Sequence, residues 1–146
     1  MTRRRIAGAV AAALLLSGCV PASPDADTFE DEAMRTAGAA VSEVRTVERL
    51  LVLLREQRIL RPTAVTQLRY SEDGLGTAAD DFTELNPPLS RDRLADRLST
   101  LLDRAEQQVA EARVAVERRD VQAYRDLAHQ LETTAKHLER VEARTS

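Results

Sequence analysis

Tryptophan is absent from this 146-residue chain, and aromatic side chains make up only 3% of it. A core built with so few rings has to be filled by leucine, valine and alanine. Cysteine occurs once, at Cys19, so no internal disulfide can form. Histidine occurs twice, at His129 and His137. Two turns of one helix would hold that pair about 12 Å apart, too far to chelate a single metal ion. No Glu-x-x-His motif is present, which removes the ligand set of a di-metal carboxylate bundle. No segment alternates between polar and apolar residues as a half-buried strand does. The apolar run from Ile6 to Leu16 is about half of the roughly 20 residues that a membrane-spanning helix requires.

What the chain does have begins at its first residues. Arg3, Arg4 and Arg5 precede the apolar run, and the small residues Ser17 and Gly18 separate that run from Cys19. A cationic start, a short apolar stretch and a small-residue cleavage site are the three parts of a secretory signal. Leu16-Ser17-Gly18-Cys19 also resembles the lipobox of bacterial lipoproteins: an aliphatic residue, a small one, glycine, then cysteine. The resemblance covers residues 1–19 alone. It implies cleavage between Gly18 and Cys19, a diacylglyceryl thioether on Cys19, and residence on the extracytoplasmic face of the bacterial membrane. Two or more acyl chains give stable attachment where one gives only reversible binding.

Three stretches follow from this: residues 1–18 as a cleaved signal, 19–27 as the lipidated cysteine and a short tether, and 28–146 as a single folded domain. Pro21, Ser23, Pro24, Asp25 and Asp27 disfavour packed structure in the tether. Its eight residues from Val20 to Asp27 reach at most about 28 Å, so the domain is expected close to the bilayer. Loss of residues 1–18 leaves 18 basic and 24 acidic side chains, a formal charge of −6. An acidic surface of this kind excludes the basic stripe that nucleic acid requires. It also leaves the lipid, not headgroup electrostatics, as the expected membrane contact.

The remainder reads as helix. Thr28 with Asp31 forms a capping-box-like start, and apolar residues recur at 3–4 spacing through Ala37, Ala40, Val44, Val47, Leu51 and Leu54. A first long helix is expected over about 28–60. The register continues past Pro62 to Val65 and Leu68, which predicts a short helix over about 62–71, kinked from the first or turning away from it. Gly74 is expected to stop it. Residues 72–89, with two glycines, Asp80-Asp81 and Pro87-Pro88, read as a loop. Ser90 is a good N-cap for a helix over about 91–118, with Leu94, Leu98, Leu101, Ala105, Val109, Ala112 and Val116 on its buried face. Asp120 caps a third long helix over about 120–143, striped by Val121, Tyr124, Ala128, Leu131, Ala135 and Leu138. The expected fold is an all-α antiparallel bundle. A self-associating coiled coil would instead bring Arg58 and Gln108 into its seam.

Candidate chemistry is sparse. Met34 near the start of the first helix and His137 near the end of the last are similar in placement to the haem ligands of periplasmic four-helix b-type cytochromes. That resemblance implies haem ligation if the two helix ends adjoin. His129 and Glu132 lie at i, i+3. The Asp-x-Asp-x-Asp-Gly spacing of a calcium loop is absent around Glu72-Asp73-Gly74 and Asp80-Asp81. No serine or threonine is placed beside a histidine and a carboxylate for nucleophilic catalysis. The expectation is a non-enzymatic, lipid-anchored envelope protein without cofactor or metal. Its helices would contact another envelope protein or a second copy, with a haem, metal or lipid carrier as the alternative.

Overall fold

The computed structural model describes residues 25–143, so the expected signal, the lipobox-like segment with Cys19 and the expected tether up to Pro24 lie outside the described residues. Four helices follow in order: α1 (Ala26–Arg55), α2 (Arg61–Thr83), α3 (Asp92–Arg118) and α4 (Val121–Glu142), with a 3-10 turn at Leu89–Arg91 leading into α3. α1 and α3 each pack against both α2 and α4, and α1 meets α3 across the diagonal. Successive short connections make this an up-down-up-down four-helix bundle. No strand occurs among the described residues.

α1 starts earlier than its sequence suggested. The side chain of Asp25 accepts a hydrogen bond from the Thr28 backbone N–H at 2.8 Å, so Asp25 is the N-cap and the helix starts at Ala26, two residues sooner than expected. The helix also ends earlier, at Arg55, and the chain turns away. Arg58 N–H donates to Leu53 O at 2.8 Å and Gln57 N–H to Leu54 O at 3.1 Å, with Gln57 at φ 56°. This is a Schellman stop with glutamine in the left-handed position that usually favours glycine. The α3–α4 turn repeats it: Asp120 N–H donates to Ala115 O at 2.9 Å and Arg119 N–H to Val116 O at 3.2 Å, with Arg119 at φ 60°. Asp120 then caps α4 through its side chain, as its position in the sequence predicts.

α2 corrects the largest expectation. It does not stop at about residue 71 but runs unbroken to Thr83, through Gly74 and Gly76, and only residues 84–88 form irregular loop before the 3-10 turn. Each glycine costs a helix interior up to about 1 kcal/mol relative to alanine. Burial outweighs that cost, because Leu68, Ser71, Leu75, Ala79 and Phe82 recur at 3–4 spacing and all face the core. Pro62 sits in the first turn of α2, where its missing N–H is harmless. Ser90 does not cap α3, since the 3-10 turn occupies that position and no side chain caps the helix.

The core lies along the four inward stripes. α1 contributes mostly small residues near its start (Ala33, Ala37, Ala40) and larger ones beyond (Val44, Val47, Leu51). Leu131, Leu138 and Val141 of α4 are the large residues packed into the same core, so small faces large along the most extensive helix pair. Phe29 and Phe82 close one end with ring centroids 5.8 Å apart. Val121, expected on the buried face of α4, is instead exposed at the opposite end. Arg58 is exposed in the α1–α2 connection, whereas Gln108 is buried on α3. The Oγ of Ser71 and the Oε1 of Gln108 are buried without a hydrogen-bond partner among the described residues.

Candidate functional site

The helix register decides which candidate residues can cooperate. Glu142 of α4 lies against Gly38 of α1, its Oε1 3.3 Å from where a Cβ would stand. Met34 is one turn from Gly38 toward the start of α1, and His137 is five residues from Glu142 in the opposite axial direction. At 1.5 Å per residue the two are about 13 Å apart along the axis, and a helix spacing of about 8–10 Å adds to that. The structure does not bring them together at one iron atom. His137 instead belongs to the α3–α4 seam. Its pKa is lowered by partial burial and by the guanidinium groups of Arg140, Arg104 and Arg97, so the imidazole is neutral at neutral pH.

His129 is well exposed, with Nδ1 3.6 Å from Glu132 Oε2. Glu132 is held below the ordinary carboxylate range chiefly by Lys136, whose Nζ lies 2.6 Å away. These are solvated helix-face pairs. Among the described residues no group of three or more histidine, cysteine or carboxylate side chains converges to hold a metal ion. Glu72, Asp73, Asp80 and Asp81, read from sequence as loop residues, stand on α2 instead.

Two arginines use their donors to tie helices together. Arg113 of α3 donates from Nε to Glu72 of α2 at 2.6 Å and from Nη1 to Glu117 at 3.1 Å. Arg45 of α1 donates from both Nε and Nη2 to Oε1 of Glu139 on α4, and from Nη1 to Glu48. Both guanidinium pKa values are raised, first by Glu72 for Arg113 and first by Glu139 for Arg45. Partial exposure keeps each pair near the 0–1 kcal/mol of surface ion pairs, so they set register more than they supply stability. Arg113 and Glu117 stand at i, i+4 spacing, which the sequence alone shows, whereas Glu72 falls in the stretch 72–89 that reads as a loop.

A largely apolar concave surface lies on the outside of the α3–α4 hairpin. It is a groove of about 530 Å3 floored by Ala110, Val114, Ala123 and Leu127 and edged by Arg118 and Asp126. Helical spacing puts Ala110 and Val114 one turn apart, and the hairpin turn brings Ala123 and Leu127 alongside them. Arg118 is the single cationic side chain lining the groove, against the carboxylates of Glu111, Asp120 and Asp126. Beside it, Arg55 of α1 and Arg125 of α4 flank a second, polar hollow of about 610 Å3 at the same end of the bundle. Among the described residues no helix is long and apolar enough to cross a membrane. No protein family, curated protein or solved structure compared with the chain matches it.

Proposed function

We propose that the chain is a lipid-anchored lipoprotein of the bacterial cell envelope, held on the extracytoplasmic face by diacylglyceryl-Cys19, and that its bundle acts by non-enzymatic binding to another envelope protein or to itself. The observation that carries this reading is Leu16-Ser17-Gly18-Cys19, closing a short apolar run six residues before the N-cap of the folded domain. The lone cysteine has no partner for a disulfide in an oxidising compartment, and acylation gives it a use. The groove on α3 and α4 supports the binding half of the proposal, since small apolar side chains framed by charge are left on the outer face of an otherwise conventional bundle.

Detergent phase partition of the native chain and Cys19→Ala tests the anchor. The native protein is expected in the detergent phase, and the variant in the aqueous phase or retained with its signal uncleaved. A variant that stays membrane-bound with unchanged mass would overturn the anchor. For the binding surface, a photo-crosslinking residue placed at Val114 in living cells should give a discrete adduct of defined mass. Recovery of monomer alone from that position argues against the groove as the contact.

A further inference from the structure

The connection between α2 and α3 lies at the end of the bundle where the tether enters. The Glu30–Arg91 ion pair and the Phe29–Phe82 ring contact fasten it beside the first turns of α1. From Leu85 to Ser90 it contains no charged residue. Pro87-Pro88 stiffens it, with Pro88 in polyproline geometry at φ −67° and ψ 146°. Leu89 at the tip is 91% exposed, the most exposed large apolar side chain among the described residues. The others lie elsewhere: Leu60 and Val121 at the opposite end and Tyr70 on the flank of α2.

Cys19 lies six positions before Asp25, a reach of about 20 Å when fully extended. Leu89 is therefore an apolar prong projecting from the end of the bundle that the anchor keeps nearest the bilayer. We infer, resting on the lipoprotein reading above, that the uncharged Asn86–Ser90 tip is a second membrane contact, with Leu89 inserting at the boundary between lipid headgroups and acyl chains. The tip can enter without taking a charge out of water, so the insertion carries no desolvation penalty for an ion. The first turns of α1 (25–32) and the segment 80–93 hold nine carboxylates against two arginines. Such a collar is repelled by anionic headgroups within a Debye length of about 8 Å at physiological salt. It limits insertion to the tip and makes the contact sensitive to lipid charge.

The test uses the full chain, purified with its lipid. Once Cys19 is acylated, Leu89→Cys supplies the only free thiol, which is labelled with an environment-sensitive fluorophore. Val121→Cys at the opposite end is the control. In phosphatidylcholine vesicles the label at 89 should shift to the blue, brighten several-fold and be quenched by lipids carrying nitroxide on the upper acyl chain, while the label at 121 stays aqueous. Adding phosphatidylglycerol at low salt should weaken these changes, and raising the salt should restore them. A label at 89 indistinguishable from that at 121, in protein whose mass shows diacylglyceryl-Cys19, overturns the membrane contact and leaves the anchor standing. Burial of the label only in intact envelopes, and never in vesicles, assigns the tip to a protein partner and also overturns it. A purified chain without the lipid mass brings down both readings.

Discussion

α2 and α4 flank α1 on its two sides and are nearly equal in length, at 23 and 22 residues. α4 is capped by Asp120, whose side chain accepts from Ala123 N–H, and it buries an unbroken stripe from Tyr124 to Val141. α2 has Leu60 at its N-cap, with no side-chain cap and no acidic residue in its first turn. It contains Gly74 and Gly76 and places the hydroxyl of Ser71 in the core. Local preference and packing agree in α4 and disagree in α2. The continuity of α2 is therefore a consequence of tertiary burial, which shows how several buried side chains override signals worth about 1 kcal/mol each.

Replacement of one buried leucine in each helix makes the hardest test of that contrast. Leu75 of α2 and Leu131 of α4 are both fully buried. Leu75→Ala and Leu131→Ala should each cost about 2–5 kcal/mol in urea denaturation. A much smaller cost for Leu75→Ala would mean that α2 frays independently of the core. The caps come next in size: Asp120→Ala should destabilise by about 1 kcal/mol. Leu60→Asp, at a position 75% exposed, should stabilise by a comparable amount by supplying the cap that α2 lacks.

The glycines follow. A Cβ at Gly76 would meet only the Glu106 carboxylate at 3.6 Å, so Gly76→Ala should raise stability by about 1 kcal/mol. At Gly74 the Glu43 carboxylate lies 3.3 Å from the same point and has to swing aside, which makes the gain smaller. Thermal denaturation of both variants measures how much α2 gives up to its glycines.

The smallest effect concerns charge at the α2–α3 seam. Burial raises the pKa of Glu106, with Asp103 and Asp80 adding to it. A raised folded pKa disfavours the charged form, so the cost is full above that pKa and absent below the ordinary carboxylate range of about 4. Glu106→Gln should therefore raise the melting temperature at pH 7, and the difference should fade as the pH falls toward 4. An equal gain at both pH values would assign the effect to packing instead of charge.

The parts of the fold that were readable are those where independent local signals coincide. The 3–4 stripes of α1, α3 and α4 are buried where they were expected, apart from Val121 at one end and partly covered residues such as Leu54 and Leu94. Asp120 was legible as a cap because it follows the end of one stripe and opens the next. In α2 the periodicity of Leu68, Ser71, Leu75, Ala79 and Phe82 was present in the sequence, but two glycines and a serine on the inner face concealed it. The α3–α4 groove was not readable from either helix taken singly. Ala110 and Val114 lie outside the stripe of their own helix, and only the hairpin sets Ala123 and Leu127 beside them. Met34 and His137 could be placed near helix ends, but whether those ends meet depends on the register of α1 against α4.

The sequence by itself determined the helical class, the α3–α4 hairpin and the approximate spans of three helices, because caps, apolar period and turn residues act within a few positions of one another. It also carries the lipobox-like segment on which the proposed address rests. Tertiary structure alone decided that α2 continues to Thr83, that Arg113 reaches Glu72 and Arg45 reaches Glu139, and that Leu89 stands exposed at the end where α1 begins. These depend on which helices lie side by side and at what height. That is set by the summed burial of many side chains distant in sequence, a quantity that no local window contains.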